Sequence, residues 1–310
     1  MPASPDSAES LLQRLEWTVI RKLDGLLQGD YRTLFRGFGL DLADLREYQA
    51  HDDVRHIDWN VTARTQIPYV REHNEDREVT AWFLLDLSPS VDFGSSEVNK
   101  RQVLIEFTTV LARLLTRQGN RVGALFFGGE VDGVVPARGG RRHVLHLLNT
   151  LMTRKPMPKA RATDLSDLLR SAFNTVRRRS LVFVISDFIS TPGWEEALSL
   201  LSRRHEVLAV RLFDPLELKL PDLGLLVMQD AETGEQLFVD TQDRGFRRRF
   251  AKAAEAREIA LRESFARAGV DVLELSTADD IGDSILGFAR ARKQRARAMS
   301  GGGQVQGSAA

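Results

Sequence analysis

Residues 79–90 read VTAWFLLDLSPS, and the reading of this stretch decides the fold. Residues 79–85 form a nearly continuous apolar run, too short for a membrane helix and lacking the alternation of a half-exposed strand. That is the pattern of a strand buried on both faces, as in a parallel sheet covered by helices. The run stops on Asp86-Leu87-Ser88-Pro89-Ser90, a D-x-S-x-S pattern in which one carboxylate and two hydroxyls leave the strand in a tight turn restrained by Pro89. In open α/β sheets, functional groups gather at the carboxyl ends of the strands.

Downstream, strand and helix patterns alternate. Ser96 is a good N-cap for a helix carrying Val103, Phe107, Val110 and Leu114 on one face, with Gly119 just past its end. Strands are predicted at 121–127 and at an edge over 131–135, followed by a helix over 141–152. A Pro- and Lys-containing loop, TRKPMPKARA, leads to a helix starting near Asp164. Residues 181–185 form another buried strand, then a helix over 194–203, a strand over 207–213, a long helix over 243–268, a strand over 270–275 and a last helix over 280–296. Residues 225–230 and 235–240 flank Thr233-Gly234 and read as a β-hairpin inserted into this pattern. The alternation predicts an α/β fold with a doubly wound, mostly parallel sheet flanked by helices.

Upstream the patterns differ. Leu12, Leu15, Val19, Leu23 and Leu26 fall at three- and four-residue steps, an amphipathic helix expected to pack on the body of the protein. Residues 36–78 are dense in charge and aromatics with weak periodicity, and predict an irregular module. The resulting organisation is an N-terminal helix region (1–35), a charged module (36–78), an α/β domain with its hairpin insertion at 225–240 (79–296), and a disordered tail (297–310) rich in Gly, Ser and Gln.

Composition narrows the function. Lys plus Arg and Asp plus Glu both number 43, so the formal net charge is zero, and nothing global attracts a nucleic acid. There is no cysteine, which excludes disulfides, thiolate nucleophiles and Cys-ligated zinc. The first residues lack a basic stretch followed by an apolar one, and no segment approaches the ~20 apolar residues of a membrane span, so a soluble, cytoplasmic protein is expected. No P-loop motif occurs, so ATP hydrolysis would have to come from a partner.

Two further groups can join Asp86, Ser88 and Ser90 at the same edge of the sheet. Asp187 follows the strand LVFVIS, and Thr163 stands just ahead of a helix. Two carboxylates and three hydroxyls suit a hard cation such as Mg²⁺, or Mn²⁺, which takes oxygen ligands at ~2.1 Å and tends to retain water. With only two acids the ion would keep spare positive charge, so a partner's Asp or Glu can complete its shell. Without a cation the two acids repel if close. Each group also has a plain structural reading: Asp187 and Thr163 as helix caps, Ser88 and Ser90 as turn formers.

The ordered set Asp86, Ser88, Ser90, Thr163, Asp187 resembles the metal-ion-dependent adhesion site of von Willebrand factor type A domains. That resemblance implies that the hydroxyls ligate Mg²⁺ and that the aspartates bind it directly or through water. One departure is Ala162 ahead of Thr163, where related sequences often have Gly. A second resemblance rests on LREYQAHDDVRHIDWNVTARTQIPYVRE, with GGRRHVLHLL, RRRSLVFVISDF and GVDVLELST further on. Over about residues 36–290 these segments are similar to the bacterial family called domain of unknown function 58. The resemblance implies association with MoxR-type AAA ATPases and an adaptor role in chaperone-like maturation of client proteins.

The charged segment has its own physical reading. Asp52, Asp53, Arg55, His56, Asp58, Arg64, Arg71 and Glu72 can form an ion-pair network fastening the module to the sheet, with Trp59 as a buried anchor. His51 and His56 beside aspartates suggest a transition metal less well, because no clean ligand spacing appears. Gly139-Gly140-Arg141-Arg142-His143 is read as a basic strand-to-helix turn in preference to a phosphate cradle. The expected function is therefore a non-enzymatic, divalent-metal-dependent protein interaction module. The alternative is a Mg²⁺-dependent phosphotransfer or phosphohydrolase enzyme with Asp86 as nucleophile. In that alternative Ser88 makes a poor general acid and no lysine is evident at a later strand end to balance phosphate.

Overall fold

The computed structural model describes residues 7–23, 45–49, 52, 54, 57, 59–71, 79–155, 163–229 and 235–301. Helix α1 (Ala8–Leu15) starts where the Ser7 hydroxyl accepts a hydrogen bond from the Ser10 N–H, and continues as a π-helical turn over Glu16–Ile20. Leu12, Leu15, Val19 and Leu23 are buried as their spacing requires, joined by Ile20. Leu26 lies outside the described residues.

In the charged segment, strand β1 (Leu45–Glu47) pairs antiparallel with β2 (Tyr69–Arg71), and helix α2 (Trp59–Thr65) lies between them in sequence. The described part of this segment is thus more regular than its weak periodicity suggests. Trp59, expected to be a buried anchor, is 67% exposed. It opens a helix of only seven residues, while Val70 on β2 of the same segment is buried. Of the expected ion-pair network, Asp53, Arg55, His56, Asp58 and Glu72 and the side chains of Arg64 and Arg71 lie outside the described residues, as does His51 of the transition-metal alternative.

The remaining elements are β3 (Thr80–Asp86), α3 (Lys100–Arg117), β4 (Arg121–Phe127), β5 (Val131–Arg138), α4 (Arg141–Met152), α5 (Leu165–Thr175), β6 (Leu181–Ser186), α6 (Trp194–Arg204), β7 (Glu206–Phe213), the one-turn α7 (Pro215–Leu218), β8 (Leu225–Gln229), β9 (Gln236–Asp240), α8 (Arg244–Ala268), β10 (Asp271–Ser276) and α9 (Ile281–Gly301). The main sheet runs β10-β7-β6-β3-β4-β5, parallel throughout except for β5, which pairs antiparallel with β4 at the edge. This is the doubly wound, mostly parallel architecture that the alternation predicts.

Alternate residues of β3 serve two cores. Ala81, Phe83 and Leu85 face α1, α3, α4 and α9, with Phe83 stacked on Phe183 at 5.2 Å. Leu84 faces α5, α6 and α8. Each fully buried side chain of this size contributes roughly 1.5–3 kcal/mol. The helix after β3 lies on one face and the helix after β6 on the other, so strand order reverses between these two neighbours. The crevice at their carboxyl ends is the switch point where such sheets place their sites.

Two boundaries differ from the sequence reading. Helix α3 is capped by Asn99, not Ser96: Asn99 and Gln102 each bond the other's backbone N–H in a capping box, a reciprocal arrangement that outcompetes a lone serine. Residues 297–301, expected in the tail, extend α9 to Gly301, because Ala296, Ala298 and Met299 retain helix propensity up to the glycines. The hairpin forms in the expected place, with Leu225 opposite Asp240 and Val227 opposite Phe238, but as a separate two-stranded sheet. The expected turn residues Thr233 and Gly234 lie outside the described residues.

Candidate metal centre at the switch point

The D-x-S-x-S segment leaves β3 as a short 3-10 turn over Pro89–Asp92, with Pro89 at its first position. Asp86 is wholly buried. One of its oxygens accepts a hydrogen bond from the Ser88 N–H at 3.0 Å and the other from the Ser186 hydroxyl at 2.6 Å. The Ser88 and Ser90 hydroxyls lie 3.1 Å apart, both buried. Burial pushes the Asp86 carboxyl up to a pKa of about 6; the neighbouring Asp187 carboxylate adds to the rise, against the Ser186 and Ser88 hydrogen bonds.

Asp187 follows β6, the strand next to β3. The turn that aims it is set by Phe188, which has φ +57° and donates its N–H to the Ser186 hydroxyl at 2.8 Å. One Asp187 oxygen accepts from the Ile189 N–H at 3.0 Å. The other accepts from the Lys100 ammonium at 2.7 Å. Lys100, the first residue of α3, is wholly buried and also bonds Glu217 of α7 at 2.7 Å. Burial opposes its charge, but Asp187 and Glu217 outweigh it and hold the ammonium above the usual lysine pKa.

Thr163 is buried on the loop ahead of α5. Its carbonyl accepts from the Ser190 hydroxyl and the Thr191 N–H, each at 3.0 Å, which ties this loop to the one that follows Asp187. The structure therefore brings Asp86, Ser88 and Ser90 into one hydrogen-bonded group, places Asp187 at the adjacent strand end in a separate ion pair, and anchors Thr163 through its backbone to the Asp187 loop.

One strand further along the same edge, Asp214 follows β7. It is wholly buried and accepts from the Ser95 N–H and hydroxyl, each at 2.9 Å, the Thr277 hydroxyl at 2.7 Å and the Leu216 N–H at 2.9 Å. Burial pushes its pKa up, yet these donors prevail and hold it below the usual carboxylate value.

The donor set fits a hard cation in part. Among the described residues Asp86 has no cationic partner of its own, and the paired hydroxyls of Ser88 and Ser90 offer neutral oxygens beside it. Asp187 has one oxygen committed to Lys100, so water-mediated contact suits it better than direct ligation. Among the described residues no three His, Cys, Asp or Glu side chains gather as a metal cluster, so a cation here would depend on hydroxyls and water. At the other candidate turn, Arg141 is engaged by Glu9 and His143 bonds the Val122 carbonyl at 2.8 Å, as a plain strand-to-helix turn would have it.

A family model described as "Protein of unknown function DUF58" matches residues 44–260. The chain belongs to this family. The DUF58 chain is 38% identical over 289 residues to the uncharacterized protein Rv1480 of Mycobacterium tuberculosis, covering 93% of this chain and 90% of that one. It is equally similar to the uncharacterized protein Mb1516 of Mycobacterium bovis. Among solved structures it is similar to an aerotolerance-related membrane protein from Bacteroides fragilis, with TM-score 0.44 and 13% identity over 70% of this chain and 99% of that one. BatB, a conserved hypothetical protein from Bacteroides thetaiotaomicron, gives TM-score 0.43 and 14% identity over 71% and 99%.

Sequence reasoning missed Lys100, Ser186, Asp214 and Glu217 in this DUF58 chain. Lys100 did carry a signal: it stands three residues before Val103 and seven before Phe107, on the apolar stripe of α3, where a charge is buried only if paired. Ser186 had the weaker signal of a hydroxyl directly before a strand-end aspartate.

Proposed function

We propose that this DUF58 chain is a non-enzymatic, divalent-cation-dependent protein interaction module. The observation that carries the reading is Asp86: a wholly buried carboxylate at the switch point, beside the Ser88–Ser90 hydroxyl pair, with two hydrogen bonds and, among the described residues, no cationic side chain bonded to it. Mg²⁺ or Mn²⁺ would be held by Asp86, Ser88 and Ser90, with Thr163 and Asp187 in support. Bound there, the ion supplies an electrophilic position for a partner's Asp or Glu. This chain's residues would hold the ion and leave its remaining coordination to the partner.

The family resemblance adds a candidate partner, a MoxR-type AAA ATPase, with this chain as its adaptor in chaperone-like maturation of clients in the cytoplasm. Among the described residues no helix is long and apolar enough to cross a membrane. The phosphotransfer alternative gains little from Lys100. That lysine reaches the right edge of the sheet, but it is wholly buried and bonded to two carboxylates, so it is not available to a phosphate.

The test is a direct Mn²⁺ titration followed by capture of the ATPase partner with and without Mg²⁺. Wild type is expected to bind the ion and to retain the partner only in its presence, and Asp86→Ala to lose both. Capture that is indifferent to both Mg²⁺ and Asp86→Ala would sink the reading, and Mg²⁺-dependent turnover of phosphate esters abolished by Asp86→Asn would replace it with the enzyme.

A further inference from the structure

We infer that Lys100 is the internal counter-ion of Asp187, and that it weakens the hold on a divalent cation in exchange for keeping that cation receptive to an external carboxylate. The inference rests on the metal reading above and adds to it a residue with a defined electrostatic role.

The geometry is specific. The Lys100 side chain has no solvent exposure, and its ammonium lies 2.7 Å from Asp187 and 2.7 Å from Glu217. Asp187 contributes its second oxygen to the Ile189 N–H. Both oxygens of the second candidate carboxylate thus have donors before any ion arrives. Asp86 differs, since its partners are a backbone N–H and a neutral hydroxyl. A divalent cation entering beside Ser88 and Ser90 therefore meets one uncompensated carboxylate and one already matched to an ammonium. Charges a few ångströms apart in a buried setting interact strongly, so the ammonium repels the ion while it neutralises Asp187. The ion is held less tightly than two free carboxylates would hold it. Its remaining positive charge faces outward, and an Asp or Glu of a partner is the ligand class that balances it.

Glu217 makes the arrangement stable and also links it to the neighbouring loop. Its other oxygen accepts from the Asp214 N–H at 2.9 Å in the capping box of α7. Asp214 in turn fastens the Ser95 and Thr277 segments. The ammonium is thereby tied on one side to Glu217, which is held by groups outside the candidate ion site, so a cation arriving at Asp86 does not simply displace it.

The experiment compares wild type, Lys100→Met, and the double variant Lys100→Met/Glu217→Gln. The double variant removes one positive and one negative charge, so the cluster's total is unchanged while Asp187 is freed. Mn²⁺ binding is read by calorimetry at pH 8, and retention of a carboxylate-bearing partner peptide is read on the Mn²⁺-loaded proteins. The double variant is expected to bind Mn²⁺ about tenfold more tightly, the scale on which such supporting partners tune metal sites, and to hold the peptide less well. Unchanged or weaker Mn²⁺ binding overturns the inference. The metal reading fails separately: if wild type binds no Mn²⁺ but the double variant does, Lys100 has the assigned role and the native protein is not metal-dependent. If both bind alike, the metal reading stands and the role of Lys100 falls. Should Lys100→Met alone fold poorly, its melting temperature gives the same answer. Mn²⁺ should raise it by more than in wild type, and an equal or smaller rise counts against the inference.

Discussion

Asp86 and Asp214 sit at the same edge of the same sheet, one at the end of β3 and one just past β7, and both are fully buried. Their acidities nevertheless move in opposite directions. Asp214 accepts four hydrogen bonds, from Ser95 twice, Thr277 and Leu216, and stays ionised below the usual pKa. Asp86 accepts two and faces the Asp187 carboxylate, and its pKa is pushed up to about 6. Both are closed off from solvent, but Asp86 lies deeper in the protein, so burial raises it more, and two further differences act in the same direction. They are the number of donors and the sign of the nearest charge. One end of the sheet's edge is electrostatically complete in itself, holding three loops together; the other is left short of positive charge.

The comparison can be broken most readily at Asp214. Asp214→Asn is expected to destabilise the protein by about 3 kcal/mol, because donors from three segments lose a buried charged acceptor together. Chemical denaturation at pH 7.5 checks this, and a loss comparable to that of an exposed aspartate would mean that the two positions do not differ as described. Next in size is the response to Mg²⁺. At a free concentration a hundredfold above its dissociation constant, a single bound ion adds about 2.7 kcal/mol. This gain should survive in Ser95→Ala, which touches only the Asp214 end, and vanish in Asp86→Asn.

Opposite pH dependences give a finer contrast. Asp86 is protonated in the folded protein up to about pH 6 but gives up its proton near its ordinary value of 3.8 when unfolded. The unfolded chain therefore holds fewer protons across that window, and stability falls as pH rises through it. Asp214 has the lowered value, so its contribution is present above the ordinary carboxylate range and is lost on acidification. In the metal-free protein Asp86→Asn should flatten the decline between about pH 4 and 6 and leave the protein more stable above it. Denaturation midpoints across pH 4–8 measure both slopes; a decline unchanged by Asp86→Asn would remove Asp86 as its source. The smallest effect belongs to Ser90→Ala. Without metal it should change stability by about 0.5 kcal/mol or less, yet it should weaken Mn²⁺ binding, which separates a turn former from a ligand.

The strand-helix alternation was legible because residues 79–85, but for Thr80, and residues 181–185 are apolar throughout, and such runs report burial directly. The segments D-x-S-x-S and Ser186-Asp187 announce a strand that ends in polar groups, so the location of the site could be read as well. What spacing does not encode is which side chains from distant loops meet at that edge. Lys100 is 87 residues from Asp187 and 117 from Glu217, and only the fold joins them. Trp59 shows the converse error: an aromatic among charges looks like an anchor, and only the fold reveals that it is exposed while Val70 of the same segment is buried.

Phe188 carries a consequence of a different kind. A bulky residue with φ +57° sits in a left-handed conformation that disfavours L side chains by roughly 1–2 kcal/mol. What restrains it lies behind the sheet, where its ring meets Trp194 at 5.2 Å and Phe265 edge-on at 4.8 Å. The aim of the adjacent carboxylate is thus set by an aromatic trio drawn from α6 and α8, two helices with no donor among the five candidate residues. Wear in that trio, by a cavity or a smaller ring, would let the backbone relax and turn Asp187 away. The precision of this edge is inherited from oil-like contacts on the reverse side of the molecule.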